Sequence, residues 1–297
     1  MKVYQGDTFS KLYKDVLIDL MQTPQFETNP RGDKINENIN VSLVLSNPLS
    51  CLYKNEFRST KLKYCSSELL WYFMGRNDVE FISQYAKFWE NIKNEDNTIN
   101  SAYGNLIFTK KNTYGLSQYN WALKSLTADK DTRQAILHFN SSDHQFFENK
   151  DFVCTMYAIF HIRNNKLNLK VSMRSNDAVL GLPTDIVFFT VLQSQMLSHL
   201  KNTYPTLELG EYTHNADSLH IYERNFELVN KMLTSEFTPS EIPKVELNLV
   251  NTNGNPSVIF EFMFNNYNKE KESRNLVFKN VLNKDELFLW ILENINK

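Results

Sequence analysis

A chain of 297 residues with 32 Lys and Arg against 34 Asp and Glu carries a formal net charge of −2. That length suffices for a full hydrophobic core, and the near-neutral charge gives no bulk attraction to nucleic acid or an anionic membrane. No apolar run is long enough to cross a bilayer, and the opening MKVYQGDTFSKLY lacks the apolar segment of a secretory signal. The three cysteines, Cys51, Cys65 and Cys154, form neither a disulfide framework nor a zinc-ligand spacing, so a reducing cytoplasm and no metal are expected.

The first expected element is an amphipathic helix over 8–21, with Phe9, Leu12, Tyr13, Val16 and Leu20 on one side. A polar segment over 22–38 holds NPRGDK, a turn with Arg31 at its tip, and INVSLVLSNP follows as a strand. Residues 66–74 form a short apolar helix with Glu68 inside it, and 78–89 continue as a helix. After a loop over 91–100, Gly104 and Gly115 mark turns, 117–126 is helical, and DKDTRQAILHF returns to a strand. The clearest β element is a hairpin, with strands 157–162 and 167–173 about a turn at 163–166. A long apolar helix follows over 186–200, then an irregular stretch over 207–220 and a helix over 221–233. A second hairpin, 245–250 with 258–264, is expected around Asn253-Gly254. Asn283 with Glu286 suggests a capping box for a last helix. Helices mixed with antiparallel strands argue for one α+β domain over 1–297.

The stretch from Asp151 to Asp185 concentrates the chemistry. Cys154 in DFVCT stands before the hairpin, whose second strand runs into MRSND. A thiolate is a strong nucleophile when a cation stands near it, and Arg174 at the far end of the paired strand is a candidate; a small buried residue is the other reading of Cys154. Arg174 and Ser175 offer the donor fork and hydroxyl that suit a phosphate, with Arg31 and Arg133 as further candidates. A surface ion pair is the plainer reading of any single arginine. Glu68, within SSELLWYF, is either a desolvated proton relay with a raised pKa or a residue on the wet face of its helix. Asp185 could cap a helix beginning near Ile186, or accept a hydrogen bond from a cytosine amino group. His220 and Tyr222 alternate in SLHIY and so could face one pocket, as partners for a sugar hydroxyl.

Taken together, these segments resemble the thymidylate synthase superfamily, and more closely its phage deoxycytidylate hydroxymethylase branch. SELLWYF, INSAYG, DTRQAI, DFVCT, MRSNDAVLGLPTD and SLHIYERNF carry the resemblance, in the family's order, from about Arg31 to about Val229. It implies a three-layer α+β fold with a large mixed sheet at a homodimer interface, and a divergent C-terminal region from about 231. It implies a pyrimidine nucleoside monophosphate substrate and 5,10-methylenetetrahydrofolate as cofactor, with no direct nucleic-acid binding and, were the chain phage-encoded, a place in the host cytoplasm. By the same resemblance Cys154 is the nucleophile toward pyrimidine C6, and Glu68 organises water and protons. Arg31, Arg174 and Ser175 hold phosphate, and Arg133 reaches across the dimer. His220 and Tyr222 hold the 3′-hydroxyl. Asp177 lies near the pterin, and Tyr103 and Trp89 line the pocket, Trp89 on its cofactor side.

The departures from the synthase pattern are informative. Asp185 stands where synthases resemble one another in having asparagine, and aspartate suits the amino group of cytosine. Val153-Cys154-Thr155 replaces Pro-Cys-His, Gln134 follows Arg133 in place of a second arginine, and Met173 replaces a glutamine. The end WILENINK is unlike the short apolar closing tail of synthases, which favours hydration of the transferred carbon over hydride transfer. LLWYFMG and LGLP are more synthase-like. The resemblance therefore points to C5 hydroxymethylation of dCMP, with C5 methylation of dUMP or dCMP, or a non-catalytic nucleotide-binding homologue, as alternatives.

Overall fold

The computed structural model describes residues 1–245, 256–282 and 285–297, with the backbone alone over 256–260 and at 282. The chain opens with β1 (Lys2–Gly6), α1 (Phe9–Gln22), β2 (Phe26–Thr28), β3 (Ile35–Leu45) and β4 (Leu52–Lys54). Next come α2 (Leu62–Phe73), α3 (Val79–Ile82), α4 (Phe88–Ile92) and α5 (Gln118–Ala128). The central part holds β5 (Ile136–His138), β6 (Thr155–Arg163), β7 (Lys166–Met173), β8 (Asn176–Asp177), α6 (Leu182–Leu200) and β9 (Glu208–Tyr222). The chain continues through α7 (Phe226–Leu233), β10 (Thr238–Ser240), α8 (Pro256–Tyr267), α9 (Lys271–Leu282) and α10 (Glu286–Ile295).

Eight strands make one mixed sheet, ordered β1-β3-β9-β7-β6-β5, with β2 added to β3 and β8 to β9. The pairs β1–β3, β7–β9 and β8–β9 are parallel; β2–β3, β3–β9, β6–β7 and β5–β6 are antiparallel. Helices α1 and α6 pack on one sheet face; α2 and α5 contact α6, and α10 contacts α2. This is an α+β architecture with a large mixed sheet. The hairpin closes as expected: Asn164 and Asn165 both adopt positive φ, 50° and 57°, which suits the twist of a two-residue turn. On the other sheet face, Tyr157, Ile159, Lys170, Ser172, Thr213 and Asn215 alternate with buried residues and are only partly covered.

Several expected elements differ. Residues 78–89 form two short helices: Phe81 packs edge-on to Tyr267 at 4.8 Å, Trp89 packs on Trp71 at 5.4 Å, and the chain turns between these anchors. DKDTRQAILHF contributes only Ile136–His138 to the sheet. The stretch 207–220 is one long strand, because β9 is hydrogen-bonded to β3 on one side and β7 on the other, and that pairing outweighs a weak apolar pattern. The helix expected over 221–233 begins only at Phe226, after Ile221 and Tyr222 complete β9. Val258 to Phe264 lie in α8, not in a hairpin; an apolar run of this length has no periodicity that separates strand from helix. Asn253-Gly254 and Asn283 lie outside the described residues. The last helix is capped by Asp285, whose side chain accepts from Phe288 N–H at 3.0 Å.

Gly104 is not a turn residue by dihedral, with φ −59°. A Cβ there would stand 1.9 Å from the Tyr72 carbonyl oxygen, so glycine allows the end of α2 to lie against the chain after Tyr103. That contact stacks Tyr72 on Tyr103 with ring centroids 5.5 Å apart, and Phe188 of α6 packs on Tyr72 at 4.6 Å. Burial of each ring is worth roughly 1.5–3 kcal/mol, and the cluster forms the floor beneath the residues described next.

Candidate active site

Cys154 ends the loop that feeds β6, and a register shift between Thr155 and Tyr157 puts a bulge beside it. Bulges re-aim side chains next to sites of chemistry. Arg174 leaves the end of β7, and its backbone N–H donates to Cys154 O at 2.9 Å. Its guanidinium lies 3.6 Å from Cys154 Sγ, donates to the carbonyls of Val153 and Phe152, and rests on the Phe152 ring. Burial pushes the Cys154 thiol up; Arg174 pulls it down, Asp185 and Asp151 push it up, and Arg31 pulls it down. Cys154 is only partly buried, whereas Cys51 and Cys65 are fully enclosed. Burial pushes the Cys51 thiol up to about 12 and that of Cys65 well above its ordinary range, so neither is available as a thiolate near neutrality.

Glu68 points inward from α2 and is 7% exposed, not on a wet face. Tyr64, one turn earlier, donates its hydroxyl to Glu68 Oε1 at 2.8 Å, and Trp89 Nε1 donates to that hydroxyl at 3.2 Å. Desolvation, reinforced by the Asp185 charge, pushes the Glu68 carboxyl up to about 8 against hydrogen bonds from Tyr64 and Tyr72. Glu68 is therefore a neutral acid near pH 7, able to give up a proton or accept one back.

Asp185 is not the cap of its helix. The helix starts at Leu182, with Gly181 at the N-cap position, which moves Asp185 a full turn inside. Its Oδ2 accepts from Asn176 Nδ2 at 2.7 Å. Burial pushes its carboxyl up to about 7; the Asn176 hydrogen bond opposes this and the Asp177 charge adds to it. Tyr103, under the electrostatic influence of both Asp185 and Cys154, accepts from the Thr155 hydroxyl at 2.8 Å. The nucleophile candidate and two high-pKa carboxyls thus share one enclosure floored by tyrosines.

Around it, Ser175 follows Arg174. Asp177 Oδ1 accepts from Val179 N–H at 2.7 Å and Leu180 N–H at 3.1 Å, holding the turn into α6. Asp177 lies opposite His220 in the β8–β9 pairing. His220 and Tyr222 share one face of β9 with ring centroids 5.0 Å apart, and Arg224 covers the Tyr222 ring at 3.9 Å. Arg31 sits on the exposed 30–32 turn with φ 55°, near enough to lower the Cys154 and Tyr222 pKa values. Arg133 is not brought in: it is exposed on a separate surface hollow with Asp129, Asp131, Thr132 and Gln134.

Four further residues touch the cluster that residue type alone did not single out. Tyr64 stands at helical spacing from Glu68, a usable signal. Asn176 lies within MRSND. Tyr212 and His214 sit two apart on β9 and point inward, a signal hidden by the irregular pattern of that strand.

The family described as thymidylate synthase matches residues 12–277. The deoxycytidylate 5-hydroxymethyltransferase of Enterobacteria phage T6 is 31% identical over 217 residues, covering 71% of this chain and 85% of that protein. The deoxyuridylate hydroxymethyltransferase of Bacillus phage SP01 is 28% identical over 261 residues, covering 83% of this chain and 67% of that protein. Among solved structures, the thermostable thymidylate synthase A of Bacillus subtilis superposes with a TM-score of 0.64 at 23% identity, covering 80% of this chain and 87% of that one, which concerns the fold alone. With most of its length matched, the chain belongs to the thymidylate synthase family.

Proposed function

We propose that the protein is a deoxycytidylate 5-hydroxymethyltransferase, converting dCMP and 5,10-methylenetetrahydrofolate to 5-hydroxymethyl-dCMP and tetrahydrofolate. The family membership already makes it a C5 one-carbon transferase for a pyrimidine nucleotide. The observation that carries the finer reading is Asp185: its carboxylate is inside α6, anchored by Asn176 rather than spent on capping, at the position where the synthase pattern has asparagine. A carboxylate oxygen accepts from the C4 amino group of cytosine. A carboxyl with its pKa near 7 also carries the proton that N3 of cytosine needs as a partner.

In this reading Cys154 Sγ adds to C6 of the pyrimidine, with Arg174 holding the thiolate beside the reacting carbon. Attack at C6 makes C5 nucleophilic. When bound, 5,10-methylenetetrahydrofolate would supply the one-carbon unit that C5 receives. The site suits it: Asp177 uses Oδ1 for its turn, which leaves Oδ2 for a donor-bearing heterocycle, and Leu180 beside it is 48% exposed. C5 then gives up its proton as tetrahydrofolate is released, and Glu68, fed by the Tyr64 and Trp89 hydrogen bonds, orders the water that adds to the resulting exocyclic methylene carbon to make the hydroxymethyl group. Cys154 then departs from C6. Arg31, Arg174 and Ser175 hold the phosphate, and His220 and Tyr222 the 3′-hydroxyl. Arg133, remote from Cys154 within the protomer, reaches the phosphate of a second subunit across the partly covered sheet face.

The test is product identity. With the folate present, dCMP and dUMP are supplied separately and the nucleotide products are weighed. Hydroxymethyl-dCMP from dCMP is expected; a methyl product, or turnover of dUMP alone, overturns the reading in favour of a synthase or a deoxyuridylate enzyme.

A further inference from the structure

We propose that Tyr212, His214 and Asn176 form a one-way hydrogen-bond relay that makes Asp185 Oδ2 an acceptor and turns any proton on that carboxyl toward the ligand. The Tyr212 hydroxyl lies 2.8 Å from His214 Nδ1, His214 Nε2 lies 3.0 Å from Asn176 Oδ1, and Asn176 Nδ2 donates to Asp185 Oδ2 at 2.7 Å. Tyr212 and His214 are fully buried and Asn176 is 4% exposed, so bulk solvent does not reach them. Burial lowers the His214 pKa to about 3, which leaves a neutral ring with one N–H and one bare nitrogen.

A neutral imidazole and one amide permit two self-consistent proton arrangements. In the first, Tyr212 donates to His214 Nδ1, His214 Nε2–H donates to Asn176 Oδ1, and Asn176 donates to an ionised oxygen of Asp185. Each of the three bonds then has a donor at one end and an acceptor at the other. In the second, each bond reverses: a protonated Asp185 donates to the Asn176 carbonyl, the Asn176 amide donates to His214 Nε2, and His214 Nδ1–H donates to the Tyr212 oxygen. The Tyr212 hydrogen is then left without an acceptor inside the core, and stranding a buried donor is unfavourable. Tyr212 at the far end therefore selects the first arrangement. The consequence at the near end is stereochemical. A proton taken up by Asp185 has no acceptor on its Asn176 side, so it lies on the side open to the base. There it serves N3 of cytosine while the carboxyl accepts from the C4 amino group.

The inference rests on the reading of Asp185 as the base-facing carboxyl, but its test does not depend on any substrate. Glu68 and Cys65 from α2, Asp177 from β8, Cys154 before β6, and the Tyr72 and Tyr103 hydroxyls complete the titratable surroundings of Asp185, and none is altered by the variants below. The full-length protein is labelled with 13C at the aspartate carboxyls, and the Asp185 signal is assigned by its loss in Asp185→Asn. In Tyr212→Phe the first arrangement leaves His214 Nδ1 without a donor and the reversed one leaves its N–H without an acceptor, so the preference for the first is lost and the protonated form of Asp185 gains the Asn176 carbonyl as a partner. Its titration midpoint is expected to rise by about one pH unit, a tenfold gain in proton affinity. In His214→Gln, an amide oxygen accepts from Tyr212 and an amide N–H donates to Asn176, so the midpoint is expected to stay near that of the parent. A Tyr212→Phe midpoint equal to the parent's, or a His214→Gln midpoint displaced as far as that of Tyr212→Phe, overturns the relay. Because the titration uses nucleotide-free protein, a dUMP-specific product would sink the dCMP reading without touching this result, and an unmoved midpoint would sink the relay alone.

Discussion

The Arg174 guanidinium stands 3.6 Å from Cys154 Sγ and is tied by two further hydrogen bonds to the carbonyls of the cysteine loop. A cation so placed opposes the burial that raises the thiol pKa. Replacing Arg174 with Ala removes that opposition, so the thiol should titrate higher. The pH profile of Cys154 alkylation is expected to move up by about one unit, with roughly tenfold slower alkylation at neutral pH. Cys154→Ala should abolish tritium release from C5-labelled nucleotide, since that exchange needs the C6 adduct, whereas replacements of Cys51 and Cys65 should leave it. An unmoved alkylation profile, or exchange without Cys154, contradicts this pairing.

Glu68 links the site to stability. Its folded carboxyl is held at about 8 against an ordinary value of 4.5, so the unfolded chain loses this proton first as pH rises. The contribution of the neutral buried acid is fully present below about pH 4.5 and is lost as pH climbs toward 8. Glu68→Gln keeps an oxygen for Tyr64 and cannot ionise. It should flatten that decline, by on the order of 2–4 kcal/mol relative to the parent at pH 8 to 9. Urea unfolding across this range measures it; parallel pH curves for the two proteins would contradict a buried, neutral Glu68.

Arg133 tests assembly. It is exposed and apart from Cys154 within the protomer. Mixing Arg133→Ala with Cys154→Ala protein should restore activity after subunit exchange, because one hybrid site regains both groups. Hybrids that form without rescue would place Arg133 outside the partner's site.

Much of this site was legible in residue types and their order. Cys154, Arg174 and the carboxyls of Glu68 and Asp185 could be picked out because each is the unusual residue in its segment. Glu68 stands out as a carboxyl in an apolar helix, and Cys154 as a cysteine before a hairpin. The two-way reading of Asp185 needed the backbone: Pro183 near the helix start and the LGLP turn bring the helix in earlier than its apolar run suggests. Tyr212 and His214 stayed hidden because a strand paired on both sides tolerates a polar sequence, and a buried histidine in such a strand looks like a surface one. The α8 segment departs from the expected hairpin because VIFEFMF suits a strand as well as a helix. Arg133 could not be assigned within the chain, since its expected partner is another subunit.

The most direct measurement is the ratio of kcat/KM for dUMP to that for dCMP in the parent and in Asp185→Asn. The amide keeps the size of the side chain and can donate to O4 of uracil and accept from N3–H, whereas in the proposed reading the parent carboxyl is matched to the amino group and N3 of cytosine. The ratio should swing toward dUMP by about 1–3 kcal/mol, roughly tenfold to a hundredfold. An unchanged ratio, with both substrates weakened alike, would contradict base reading by Asp185 and with it the assignment of dCMP as the substrate.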